Sequence, residues 1–123
     1  MALHYSLAKV YALSENDPEF VSEIINLFVS EVVSDLEKLK ESIEEKAHKT
    51  SYGFAHKIKP SLDLLGMNVA FEEMQQIEVW ANSEGKKKEI KETYKSVASQ
   101  IEKAVKEIKK DFNLQYLPNI KIY

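Results

Sequence analysis

Apolar residues recur at helical spacing along almost the whole chain, and alternation with a period of two is scarce, which restricts the chain to a helical fold. A short segment around Leu7 to Leu13 comes first. In the run from Ser14 to Pro18, Asp17 can cap a helix, and Pro18 suits the first helical position because its missing N–H is not needed there. Phe20, Ile24, Leu27, Phe28, Val32, Leu36, Leu39 and Ile43 then form a stripe of about seven turns. Residues 48–51 read as a turn. The next helix reaches about Leu65, with Phe54, Ala55, Ile58, Leu62, Leu65 and Val69 on one stripe and Gly66 and Asn68 as terminators. Ala70, Met74, Ile77 and Ala81 mark another helix, broken at residues 82–85. Ile90, Tyr94, Val97, Ile101, Val105, Ile108 and Phe112 mark the last. The expected architecture is all-α: an antiparallel four-helix bundle with a short N-terminal helix and an irregular C-terminal tail. One domain is expected over residues 1–123, with the bundle core at about 17–112 and the tail at 113–123. The tail is apolar around Pro118 and is expected to pack on the bundle.

Composition removes several function classes. The net charge of −3 argues against nucleic acid as a partner, because phosphate neutralisation needs a basic face. All 17 basic residues are lysine, so bidentate arginine clamping of a phosphate is excluded. The chain has no cysteine, which excludes disulfides, thiolate nucleophiles and zinc–thiolate sites. Its three glycines, Gly53, Gly66 and Gly85, lie too far apart for a phosphate-cradling loop, so no nucleotide site is expected. No apolar run approaches the roughly 18 residues of a membrane span, and no signal-peptide pattern opens the chain. A soluble, cytoplasmic monomer that does not engage membranes is the expectation.

His56 is the candidate reactive residue. On the helix drawn above it points away from the apolar stripe, with Lys57 and Lys59 close by and Asp63 the first acid to follow. Pro60 lies one turn further on. Inside a helix a proline removes a backbone hydrogen bond at a cost of about 3 kcal/mol, and the carbonyl deprived of its donor is that of His56. Leu62 and Leu65 continue the stripe of Phe54 and Ile58 in phase, so one continuous, kinked helix is expected. The other histidines, His4 near the terminus and His48 in the turn, are expected to be solvated. Glu45 and His48 form a single Glu-x-x-His pair, and a di-metal bundle site needs a second.

These residues resemble the histidine-containing phosphotransfer (HPt) domains of multistep two-component phosphorelays. The family's core motif looks like Ala-His-x-Leu-Lys-Gly-Ser followed by Leu-Gly, and this chain has Ala55, His56, Ile58, Lys59, Ser61, Leu65 and Gly66 in the corresponding places. Tyr5, Leu7, Leu13-Ser14, Asp17, Glu19-Phe20 and Leu27-Phe28 also look like the family, so the resemblance spans roughly residues 5 to 110. It implies a four-helix bundle, a phosphorylatable His56, and Lys59 beside the phosphoryl group, with Lys57 as a weaker candidate. It also implies a phosphocarrier without independent turnover. That carrier would take a phosphoryl group from a receiver-domain aspartyl phosphate and pass it to another response regulator. The implied partners are receiver domains and a hybrid histidine kinase. No cofactor is expected on this chain, and Mg2+ is expected on the receiver. Pro60 departs from the pattern, where the family has a glycine that lets a partner approach. Leu62 replaces a smaller residue and is explained by the core stripe.

Docking is expected through Tyr52, Gly53, Pro60, Asp63, Leu64 and Met67 around His56, with packing inside the protein as the competing role for Leu64 and Met67. The sequence leaves the phosphorylated nitrogen open, with the exposed far nitrogen favoured by geometry. The alternative reading is a helical module that binds receivers without carrying phosphate. A purely structural assembly piece is disfavoured by the lack of a long heptad seam.

Overall fold

The computed structural model describes residues 4–112, and every described element is a helix. The helices are α1 (Ala8–Leu13), α2 (Pro18–Glu44), α3 (His48–Leu64), α4 (Asn68–Asn82) and α5 (Lys87–Asp111). The tail expected at 113–123 lies outside the described residues.

Local chemistry sets the helix ends. The Asp17 carboxylate accepts the backbone N–H groups of Glu19 and Phe20, and Pro18 occupies the first turn, so α2 starts where the sequence places it. The expected turn at 48–51 lies three residues too late. α2 stops at Glu44, Lys46 takes a left-handed φ of 58°, and His48 already opens α3. Gly66 ends α3 with φ +67°. Its N–H donates to the carbonyl of Asp63, and the Met67 N–H donates to that of Leu62. A Cβ at Gly66 would lie 2.9 Å from that of Ser6, because the N-terminal segment crosses this turn and Ser6 N–H donates to the Leu65 carbonyl at 2.7 Å. Gly66 is therefore fixed by both backbone conformation and packing. Asn68 does not terminate α3; it opens α4.

α3 runs unbroken through Pro60. Ala55, Ile58, Leu62 and Leu65 are buried on either side of it, and burial of this stripe offsets the lost backbone bond. Val69 does not belong to the stripe; it is 63% exposed, because the turn at Gly66 redirects the chain before it.

The four long helices close a ring in which α2 packs on α3, α3 on α4, α4 on α5, and α5 on α2 most lightly. Asp35 meets Lys57 and Ser42 meets Ser51, so α2 and α3 run in opposite directions. The core contains Leu36, Leu39, Ile58, Leu62, Met74, Ile77, Ile101 and Ile108. In the first half of α2 the buried stripe is Val21, Ile25 and Val29, one position away from the expected one. Phe20 and Leu27 are instead exposed, and Ile24 and Phe28 are only partly covered. Tyr5 joins the N-terminal segment to the end of α5, its hydroxyl donating to Asp111 at 2.7 Å. Among the described residues no helix is long and apolar enough to cross a membrane.

Candidate functional site

His56 lies at mid-helix on α3, on the side facing α4, with its side chain 66% exposed. The ring is nevertheless held. Nδ1 lies 2.8 Å from Oε2 of Glu78, a residue of α4 whose side chain is only 8% exposed. The other oxygen of the same carboxylate accepts from Nζ of Lys59 at 2.7 Å. One buried carboxylate thus joins the imidazole to an ammonium group that is 17% exposed. Lys59 also lies over the Phe71 ring, 5.4 Å from its centroid. One turn before His56, the Tyr52 ring runs nearly parallel to the imidazole at a centroid distance of 5.8 Å.

This geometry selects a tautomer. An ionised carboxylate only accepts hydrogen bonds, so the neutral imidazole beside Glu78 carries its proton on Nδ1. The lone pair is then left on Nε2, on a side chain that is 66% exposed. The Glu78 carboxylate on Nδ1 and the Tyr52 ring alongside are the contacts that favour this ring orientation.

The expected site residues divide into several groups. Lys59 and His56 meet through Glu78. Lys57 does not join them; it turns to the α2 side, where Nζ lies 3.2 Å from the carboxylate of buried Asp35. Gly53 and Pro60 are exposed, and a Cβ at Gly53 would meet nothing within 4 Å. Asp63 is exposed and paired with Lys9 of α1 at 2.8 Å. Leu64 is half-buried against the core. Met67 is corrected: it is 6% exposed and packs in the core, because it follows the Gly66 turn and faces inward.

Glu78 was not among the sequence candidates. It is 22 residues from His56 and reaches it only because α3 and α4 pack side by side. A signal existed, since Glu78 follows Ile77 on the edge of the Met74–Ile77–Ala81 stripe, where a carboxylate must find partners once buried. The other two histidines are also partnered. His4 pairs with Glu107 of α5. His48 donates from Nε2 to the Gly85 carbonyl at 2.8 Å and packs on Trp80, which ties the start of α3 to the α4–α5 connection.

Comparison with protein-family models, curated proteins and solved structures returned no match.

Proposed function

We propose that this chain is a histidine phosphocarrier of the HPt kind, with α2–α5 forming an antiparallel four-helix bundle and His56 as the phosphoacceptor. The observation that carries the reading is the exposed imidazole whose inner nitrogen is held by buried Glu78. A solvated surface histidine needs no buried carboxylate behind it. A nucleophile that must present one nitrogen repeatedly does.

In the forward step, Nε2 of the neutral imidazole attacks the phosphorus of a receiver's aspartyl phosphate. The N–P bond forms as the bond from phosphorus to the aspartyl oxygen breaks, and the aspartate leaves as a carboxylate. The ring becomes positively charged with its proton still on Nδ1, and the Glu78 carboxylate accepting that proton's hydrogen bond stabilises the charge. The transition state is loose, so positioning and neutralisation of the phosphoryl oxygens do most of the work. Lys59 supplies an ammonium with donors beyond the one given to Glu78. Passing the group to a second receiver reverses these steps and restores neutral His56. The Mg2+ this reaction needs is assigned to the receiver.

Docking uses the surface around His56: Tyr52, Gly53, Pro60, Asp63 and the exposed part of Leu64. The open space above Gly53 fits the close approach of a partner. Receiver domains of response regulators, including that of a hybrid histidine kinase, are the partners, and the carrier works in the cytoplasm as a monomer.

The test is phosphotransfer from a panel of phosphorylated receiver domains of the same organism, with His56→Gln beside the wild type. Acid-labile, base-stable label on the wild type alone supports the carrier. Binding without label moves the reading to a receiver-binding module that carries no phosphate.

A further inference from the structure

Far from His56, across the ring of helices, the lightly packed seam between α2 and α5 opens into a cavity of about 550 Å³. Ile43 and Tyr94 lie beneath it, both almost fully buried, and give it an apolar floor. Its rim is cationic. Lys40 comes from the end of α2, and Lys87, Lys88, Lys91 and Lys95 come from the first turns of α5. Glu44 is the only acid in the lining. Lys95 is partnered, with Glu92 at 3.9 Å. Lys40, Lys87, Lys88 and Lys91 form no ion pair among the described residues.

This concentration of positive charge stands out in a chain with a net charge of −3. Lysines gathered around a concavity repel one another, and their field is focused where the walls are apolar. The volume lies within the range of about 300–1,000 Å³ typical of small-molecule sites. An apolar floor under a cationic rim matches a ligand with an apolar body and an acidic head. It does not match a bare inorganic ion, which would leave the floor unused, or a neutral hydrocarbon, which would leave the lysines uncompensated.

We propose that this cavity binds an amphipathic organic anion, a molecule with an aryl or acyl body and a carboxylate, sulfonate or phosphate head. The body rests on Ile43 and Tyr94, and the head is held by Lys87 and Lys91 with Lys40 opposite. The site is separate from His56 and does not rest on the phosphocarrier reading.

The test is titration of the full chain with 8-anilinonaphthalene-1-sulfonate, followed by fluorescence and by amide chemical shifts. Competitors are N-phenyl-1-naphthylamine, its uncharged counterpart, and inorganic phosphate. The expected result is saturable binding at one site, with shifts confined to residues 40–44 and 87–95. The uncharged analogue should bind at least about tenfold more weakly, and inorganic phosphate at equal concentration should not displace the dye. Replacing Lys87→Gln with Lys91→Gln should weaken binding about tenfold, while Lys87→Arg with Lys91→Arg retains it, both with unchanged melting. No binding, shifts centred elsewhere, equal affinity for the uncharged analogue or in the glutamine pair, or displacement by phosphate would each overturn the proposal.

Discussion

The two flanks of α3 each place a lysine of that helix on a buried carboxylate of a neighbour, yet the two pairs are unlike. On the α2 side, Asp35 is met by Lys57 at 3.2 Å, and Lys57 is 59% exposed. On the α4 side, Glu78 is met by Lys59 at 2.7 Å and by Nδ1 of His56 at 2.8 Å, and Lys59 is 17% exposed. Solvent screens the first pair and leaves its lysine free to return to water. The second pair is largely desolvated, and it has a third member, the imidazole of His56, whose side chain is 66% exposed. A buried acid beside a surface lysine is therefore not by itself a sign of function. What distinguishes Glu78 is that one buried carboxylate holds both an ammonium group and an exposed imidazole.

The sharpest way to break this comparison is to remove each acid. Glu78→Ala should strand the Lys59 ammonium in a nearly closed site, lower stability by about 3 kcal/mol, and slow transfer to His56 at least tenfold. Asp35→Ala lets Lys57 swing into water and should cost about 1 kcal/mol, with transfer unchanged. Chemical denaturation and single-turnover transfer read both, and equal losses on the two sides would end the distinction. Lys59→Ala comes next. It should lower the transfer rate about tenfold or more while His56 remains phosphorylatable given time, and unchanged kinetics would remove Lys59 from its role.

Much of this was legible in the sequence, for definable reasons. The helical period located α1 to α5, Asp17–Pro18 marked the start of α2, and Gly66 marked the end of α3. Each is a local signal, set by residues within one turn. The same holds for His56, whose position away from the Ala55–Ile58–Leu62 stripe is a property of a single helix. The facing of α2's first half was harder. Phe20, Ile24, Leu27 and Phe28 form an apolar stripe, and so do Val21, Ile25 and Val29. The core took the smaller, β-branched set and left Phe20 and Leu27 outside. Which set wins is decided by the neighbouring helices, not by the period. Glu78 was missed for the same reason, since its partners lie on another helix. Met67 was misplaced because a turn whose geometry depends on Gly66 sends its side chain inward.

Two backbone substitutions on α3 separate stability from docking on the His56 face. Pro60→Ala restores a donor for the His56 carbonyl at an exposed position and should stabilise the fold by about 1–3 kcal/mol in denaturation. Destabilisation would mean that the helix is built around the proline. Gly53→Ala fills open space in the same helix and should stabilise by about 0.5–1 kcal/mol. If a partner passes closely over Gly53, the same variant should also weaken receiver binding. Stabilisation with unchanged affinity would place the partner elsewhere.

The smallest expected effect lies away from α3. Burial, and then the charges of Glu37 and Glu44, push the Tyr94 phenol well above its ordinary value of 10.0. Its hydroxyl donates to the Leu36 carbonyl at 3.2 Å. Because the folded-state value is raised, the contribution is present below pH ~10 and is lost as pH rises beyond it, when the unfolded chain gives up a proton that the folded chain keeps. Stability should therefore fall with pH above about 10 in the wild type and fall less steeply in Tyr94→Phe. Tyr5, raised mainly by burial and by its hydrogen bond to Asp111, keeps part of the slope. Identical slopes in both proteins would remove Tyr94 from this account.

The most direct test of the central claim is to phosphorylate the 15N-histidine-labelled chain from a receiver domain and read the modified nitrogen by NMR. The expected result is phosphate on Nε2 of His56, with the proton still on Nδ1 beside Glu78, and no phosphohistidine in His56→Gln. Phosphate on Nδ1, label that survives in His56→Gln, or no transfer from any receiver would contradict it.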